Sequence, residues 1–139
     1  YEALTQRCYW NYVRLLVQPQ SELLCTAGLR ERVDQGAESA QRTYGTLVVV
    51  PPGEERTVCL SYFIPTTVAA EPGRRQRLSL MLQTQPGVRR SMSVRVRPRD
   101  LDQPVKLPTG WQLDETGAIS WSGVIAKDLS AVLQWRVAE

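Results

Sequence analysis

Histidine is absent from the 139 residues of the chain. That removes the commonest general base and the commonest metal ligand, and with them Ser-His-Asp, Cys-His and His-based zinc chemistry. Cysteine is scarce. Cys8, Cys25 and Cys59 have neither the spacing of a metal knuckle nor the number for a disulfide framework. Three thiols allow at most one internal bridge, for which Cys8 and Cys25 are candidates. Cys59 stands in an apolar, β-branched run and reads as a buried small hydrophobe. Lysine occurs only at positions 106 and 127, so the other basic residues are arginine. No apolar run approaches the ~18 residues of a membrane span, and no membrane insertion by this chain is expected. Gly-x-Ser-x-Gly elbows, phosphate-binding glycine loops and Asp-x-Asp-x-Asp-Gly calcium loops are also missing. On these grounds the sequence assigns no catalytic residue, no metal and no cofactor.

What is present is an ordinary soluble composition: 42% hydrophobic, 22% charged, formal net charge +3. Global disorder is excluded by that balance. The length suits one domain covering residues 1–139, large enough to bury roughly two-thirds of its unfolded surface. The opening Tyr1-Glu2-Ala3 carries no methionine and no signal peptide, so a piece of a longer polypeptide is expected.

Period-two alternation between turn markers dominates the chain. Over residues 9–17, Tyr9, Asn11, Val13, Leu15 and Val17 share one face, while Trp10, Tyr12, Arg14 and Leu16 share the other. Apolar groups on both faces suggest a strand near the middle of a sandwich or covered by a neighbour. A short strand over residues 21–26 and a weaker segment over 29–34 follow, then a polar loop at 35–40. Residues 43–50 stop at Pro51-Pro52-Gly53, and residues 56–64 return with Val58, Leu60, Tyr62 and Ile64 on one face, which predicts a hairpin. Residues 77–85 and 92–96 predict a second hairpin across Gln85-Pro86-Gly87. A polar connector at 98–108 precedes three further segments at 111–114, 118–125 and 129–137. About nine short strands and no sustained helical period predict an all-β fold, an antiparallel β-sandwich of immunoglobulin-like or jelly-roll-like character.

The order Asn11-Tyr12-Val13-Arg14-Leu15-Leu16-Val17, a proline turn and Ser21-Glu22-Leu23-Leu24 resembles the bacterial envelope proteins of the domain-of-unknown-function 4012 family. The likeness continues through Tyr44-Gly45, Val50-Pro51-Pro52-Gly53-Glu54, Leu60-Ser61-Tyr62 and Leu82-Gln83-Thr84-Gln85-Pro86-Gly87. It covers about residues 9–97 and concerns the region C-terminal to the family's named domain. Gln20 departs from the Pro-x-Gly turn of the family pattern. The resemblance implies an extracytoplasmic, β-rich module of a membrane-anchored parent protein, at the cell surface or in the periplasm. It carries no catalytic residues.

Two groups of residues stand out as candidate sites. Arg95, Arg97 and Arg99 fall on one face of a strand, opposite in parity to Met92, Val94 and Val96. Guanidinium forks suit phosphate or carboxylate, so this stripe is a candidate ligand-binding face; its alternative role is to keep a solvated strand from aggregating. Trp111 enters a strand after Thr109-Gly110 and is the candidate exposed ring for stacking a sugar, whereas Trp121 and Trp135 alternate like core residues. The basic residues are not interleaved with aromatics, so no nucleic acid partner is expected. Paired acids Asp100 and Asp102, and Asp114 with Glu115, read as turn residues. The overall expectation is a non-enzymatic structural or protein-interaction module whose partners are other domains of the parent chain or envelope proteins. The alternative is a carbohydrate- or polyanion-binding module that takes a cell-surface polysaccharide.

Overall fold

A computed structural model describes residues 7–65, 75–85, 88–99 and 101–137, with side chains of 102–106 left undescribed. Every regular element among them is a strand. They run β1 (Tyr9–Val17), β2 (Glu22–Ala27), β3 (Asp34–Glu38), β4 (Gln41–Val50), β5 (Cys59–Phe63), β6 (Arg75–Leu82), β7 (Arg90–Val96), β8 (Leu101–Lys106), β9 (Gln112–Leu113), β10 (Ile119–Ile125) and β11 (Leu129–Val137). All pairings are antiparallel. The fold is all-β and sandwich-like, as the alternation predicts. The chain divides into two compact units, Tyr1–Thr67 and Val68–Glu139.

In the first unit β4 is the central strand of a sheet ordered β1-β4-β3, and β2 pairs with β5. The β-branched run of β4 is hydrogen-bonded on both edges, with Tyr9 opposite Val50 on one side and Asp34 opposite Gly45 on the other. Its interior is small and partly polar: Val17 and Tyr44 are buried together with Asn11, Ser21 and Thr46. The polar groups are organised by Tyr44. Its hydroxyl donates to the Ser21 carbonyl at 3.0 Å and accepts from the Leu23 N–H at 3.2 Å, while an Arg42 guanidinium donates to the same carbonyl at 3.0 Å. One phenol therefore ties the centre of one sheet to the start of β2 in the other.

In the second unit two three-stranded sheets, β7-β10-β9 and β6-β11-β8, face each other. Alternate residues meet between them in a core of Trp111, Ile119, Ala131, Leu133 and Trp135, flanked by Leu78, Leu80, Val94, Val96, Leu101, Leu107 and Trp121. Ile119 and Leu133 are fully buried. Each contributes about 1.5–3 kcal/mol relative to an exposed position, enough to make β10 and β11 the anchors of their sheets.

Several sequence expectations are corrected by these pairings. The segments over 43–50 and 56–64 do not form a hairpin, because both edges of β4 are already taken by β1 and β3, and β5 pairs with β2 instead. The segments over 77–85 and 92–96 do not pair either. The chain crosses from one sheet to the other between them, so that Leu80 and Val94 approach the core from opposite sides. β1 is an end strand of its sheet, not a middle one, and its Trp10 face is exposed. The polar loop expected at 35–40 is mostly β3, an exposed end strand, whereas residues 29–33 are not a strand. The connector expected at 98–108 contains β8, an end strand where Pro104 is tolerated because the missing N–H need not face a neighbour.

Cysteine requires a correction as well. Cys8, Cys25 and Cys59 are all free and exposed. Cys59 has the parity opposite to Val58, Leu60 and Tyr62, so its apolar neighbours say nothing about its own face. On β2, a register irregularity between Leu23 and Cys25 breaks the alternation and leaves Leu24 62% exposed.

Turn chemistry follows the sequence more closely. The Glu54 N–H bonds the Pro51 carbonyl at 3.1 Å with Gly53 at φ 73°, the type II geometry that a Pro-Gly centre favours. The β3–β4 hairpin instead turns on Ser39 and Ala40 at φ 46° and 63°, two left-handed residues where asparagine and glycine are preferred.

Three stability measurements follow. Tyr44→Phe should lower the unfolding free energy by about 1–2 kcal/mol by leaving the Leu23 N–H without its acceptor. The buried Ser21 hydroxyl has no partner among the described residues, so Ser21→Ala should be neutral or stabilising in the same denaturant titration. Ala40→Gly should raise stability by about 0.5–1 kcal/mol by relieving the left-handed strain; an unchanged or lower midpoint would contradict the turn geometry.

Candidate functional site

Directly opposed residues of an antiparallel pair share a face. On the outer face of the β1-β4-β3 sheet this aligns Trp10 with Val49, Tyr12 with Leu47, Arg14 with Gly45 and Asp34, and Leu16 with Thr43 and Gly36. Trp10 is 63% exposed, Tyr12 50% and Leu16 42%. The first three outward positions of β1 thus present an indole, a phenol and a guanidinium in succession.

Beside them lies a depression of about 230 Å³, lined by Tyr12, Arg14, Asp34, Gln35, Gly36, Thr43 and Gly45. Two glycines make its floor. Tyr12 leans diagonally across β4 so that its ring end occupies the space a side chain at 45 would need: a Cβ there would lie 2.6 Å from the Tyr12 Cζ. At Gly36 a Cβ would meet the Thr43 hydroxyl oxygen at 3.1 Å. Arg14 forms an ion pair with Glu38 across the rim. An aromatic wall, a fixed guanidinium, a carboxylate and a hydroxyl surround a shallow, polar hollow. Such a set can stack a flat apolar face and hydrogen-bond several hydroxyls at once.

The arginines expected on one strand face are exposed at Arg95, Arg97 and Arg99, but β7 ends at Val96, so only Arg95 stands on the strand. Arg95 is not available as a free cation. Its guanidinium donates to the Asp114 carboxylate at 2.5 Å and to the Thr116 hydroxyl at 2.9 Å. Asp114 is the hub of the β9–β10 turn, its other oxygen accepting from the Thr116 N–H at 2.8 Å, the Thr116 hydroxyl at 2.6 Å and the Ala118 N–H at 3.0 Å. Asp114 therefore organises its turn. Asp100 and the side chain of Asp102 lie outside the described residues.

Trp111 is a correction. It is 6% exposed and stacks on Trp121 with ring centroids 6.3 Å apart and planes inclined by 27°. The Trp111 N–H closes a turn onto the Pro108 carbonyl at 3.1 Å, and the ring then joins the core cluster with Ile119. Burial excludes it as a stacking platform. Trp135 is buried and Trp121 partly buried, in line with their alternation. Among the tryptophans the exposed ring is that of Trp10. Its signal was the alternation Trp10, Tyr12, Arg14, Leu16, which reads equally well as a second buried face until the pairing of β1 is known.

Among the described residues no group of three or more His, Cys, Asp or Glu could hold a metal ion. Side-chain donation by Thr116, then the Ala118 N–H and the Arg95 charge, hold the Asp114 carboxyl down from 3.8 to about 2. A folded pKa below the unfolded one contributes stability that is fully present above the unfolded value and is lost as pH falls towards about 2. The melting temperature of the protein minus that of Asp114→Asn should stay constant above this range and shrink on acidification from pH 3.8 to about 2. A difference independent of pH would show that the turn does not use the ionised carboxylate.

Comparison of the chain with protein-family models, curated proteins and solved structures finds no match.

Proposed function

We propose that the chain is a non-enzymatic interaction module that docks other domains of its parent chain, or other envelope proteins, through the outer face of β1. The observation that carries this reading is the row Trp10, Tyr12, Arg14 and Leu16, exposed on one nine-residue strand at the end of its sheet. Tryptophan, tyrosine and arginine are the residues that most often dominate binding energy at protein interfaces. An end strand also offers backbone donors and acceptors to an added segment. The resemblance in residues 9–97 supports placing the module outside the cytoplasm on a membrane-anchored parent. No helix among the described residues is long and apolar enough to cross a membrane.

A second reading has its own support in the hollow beside Tyr12. Its glycine floor, aromatic wall and ring of polar groups suit a neutral saccharide from a cell-surface polysaccharide, with Asp34 and Thr43 taking hydroxyls. The two readings share Tyr12 and Arg14 and differ at Asp34 and Thr43.

A photo-crosslinking amino acid at position 10 or 12, introduced in cells of the source organism, tests the first reading. It should yield one discrete protein adduct that is absent when the probe replaces Met81, which is 65% exposed in the other unit. Trp10→Ala should leave the melting curve within about 0.5 kcal/mol of the unmodified protein, since an exposed side chain is removed. Equal labelling from positions 10 and 81 would overturn the docking reading. A glycan array decides the second: binding lost in both Tyr12→Ala and Asp34→Asn supports a saccharide site.

A further inference from the structure

Charge is unevenly divided along the chain. Residues 68–139 carry 11 basic residues against 7 acidic, whereas residues 1–67 carry 6 against 7. Within the basic unit, the ladder between β6 and β11 places Arg75 directly opposite Arg136, and Arg77 opposite Gln134. Arg75, Arg77 and Arg136 are all exposed, while their alternate neighbours Gln76, Leu78, Trp135 and Val137 point to the other face and are buried or partly so. Three guanidiniums are thus gathered on the solvent face of two adjacent strands. Cα atoms of directly opposed residues lie about 4.5–5.5 Å apart, and residues two apart on a strand about 7 Å.

Like charges directly opposed on a sheet destabilise it. The ion pairs found among the described residues are Arg14–Glu38, Arg56–Glu54 and Arg95–Asp114, and none of them involves these three arginines. The remaining outward positions of β6 and β11, Ser79, Met81, Ser130, Val132 and Gln134, bear no charge, and the register with β8 sets Gln103 opposite Arg136 and Lys106 opposite Gln134. Arg95 on the other sheet is the instructive contrast, since a dedicated turn carboxylate meets it.

We propose that the outer face of β6 and β11 binds a polymer bearing closely spaced phosphate groups, through Arg75, Arg77 and Arg136. A carboxylate offers two oxygens and is satisfied by one guanidinium fork. A phosphate unit within such a polymer holds its two non-bridging oxygens in a tetrahedral rather than planar arrangement, so each can accept from a different guanidinium approaching from opposed positions. Arg77, one outward position further along β6, extends the row so that a second phosphate of the same chain is engaged. The face is independent of β1 and of the interaction reading.

Titration of the 139-residue protein with inorganic polyphosphate, followed by calorimetry at several salt concentrations, tests this. Binding should weaken steadily with salt, as expected when phosphate contacts displace counterions. Arg75→Gln combined with Arg136→Gln should weaken binding by at least about tenfold, and the doubly lysine-substituted protein should recover only part of it. Arg97→Gln combined with Arg99→Gln should leave binding within about twofold, because those guanidiniums follow the end of β7, a strand of the other sheet. The doubly glutamine-substituted protein should also melt higher than the parent without polymer, which separates loss of binding from loss of fold. Equal affinity for polyglutamate, an equal loss on removing Arg97 and Arg99, or binding only to anionic phospholipid vesicles would each overturn the proposal.

Discussion

An all-β chain must satisfy its backbone donors and acceptors by pairing with strands that are distant in sequence. Here three strands carry that burden on both edges: β4, β10 and β11. The other strands of the three-stranded sheets are recruited to them. The composition of the three explains their position. β4 contributes the run Leu47-Val48-Val49-Val50, and β10 and β11 supply Ile119 and Leu133, the two largest fully buried side chains. A strand that is apolar on the inner side and hydrogen-bonded on both edges has nowhere else to go. β3 and β8, by contrast, are polar or contain proline and are stable only as additions to an existing edge.

This dependence on distant pairing marks the boundary of what the sequence discloses. Alternation and turn chemistry are local, and they identify β1, β2, β4, β5, β6, β7, β9, β10 and β11 and the Pro51-Pro52-Gly53 turn. Partner choice is not local. The turn after Val50 has every mark of a hairpin, yet β4 has no free edge to offer β5. β3 carries Asp34, Gln35, Gly36 and Glu38, a composition indistinguishable from a loop until the Ser39-Ala40 turn folds it back onto β4. Cys59 and Trp111 illustrate a related limit. Each was read from its neighbours, but burial is decided by which way one residue faces: parity turns Cys59 outward, and the turn at Pro108 swings Trp111 inward.

Non-local pairing also places the candidate surface at Trp10 and Tyr12 and not at Arg95 and Trp111. On β1 both alternating sets are rich in apolar groups, so hydrophobicity alone cannot name the inner one. Asn11 decides the matter in the structure, buried on the inner side with Val17 although it is the most polar member of its set. Its partner face is left with an indole and a phenol in water. Tyr12 is further committed by Gly45, because only a residue without Cβ lets the ring lie over the central strand. That arrangement resembles the packing of an aromatic across a glycine that strengthens designed sheets. One side chain thereby covers a weak point of β4 and builds the wall of the neighbouring hollow, so structural and binding roles converge on the same ring.

Arginine takes two different roles in the second unit. Arg95 is absorbed into the turn that Asp114 organises, where a carboxylate with three donors at one oxygen accepts the guanidinium at the other. As an exposed pair it adds little stability, and its effect is to fix the shape of the β9–β10 turn. Arg75 and Arg136 face each other across a ladder, where a carboxylate at either position would have been favourable. A sheet that needed charge only for solubility would be served by alternating signs. Opposed like charges cost stability in the isolated protein, and that cost falls when an anion lies between the two strands. The outer face of β6 and β11 is thus the part of this unit where sequence and stability disagree, while its inner face, from Leu78 to Trp135, agrees at every alternate residue.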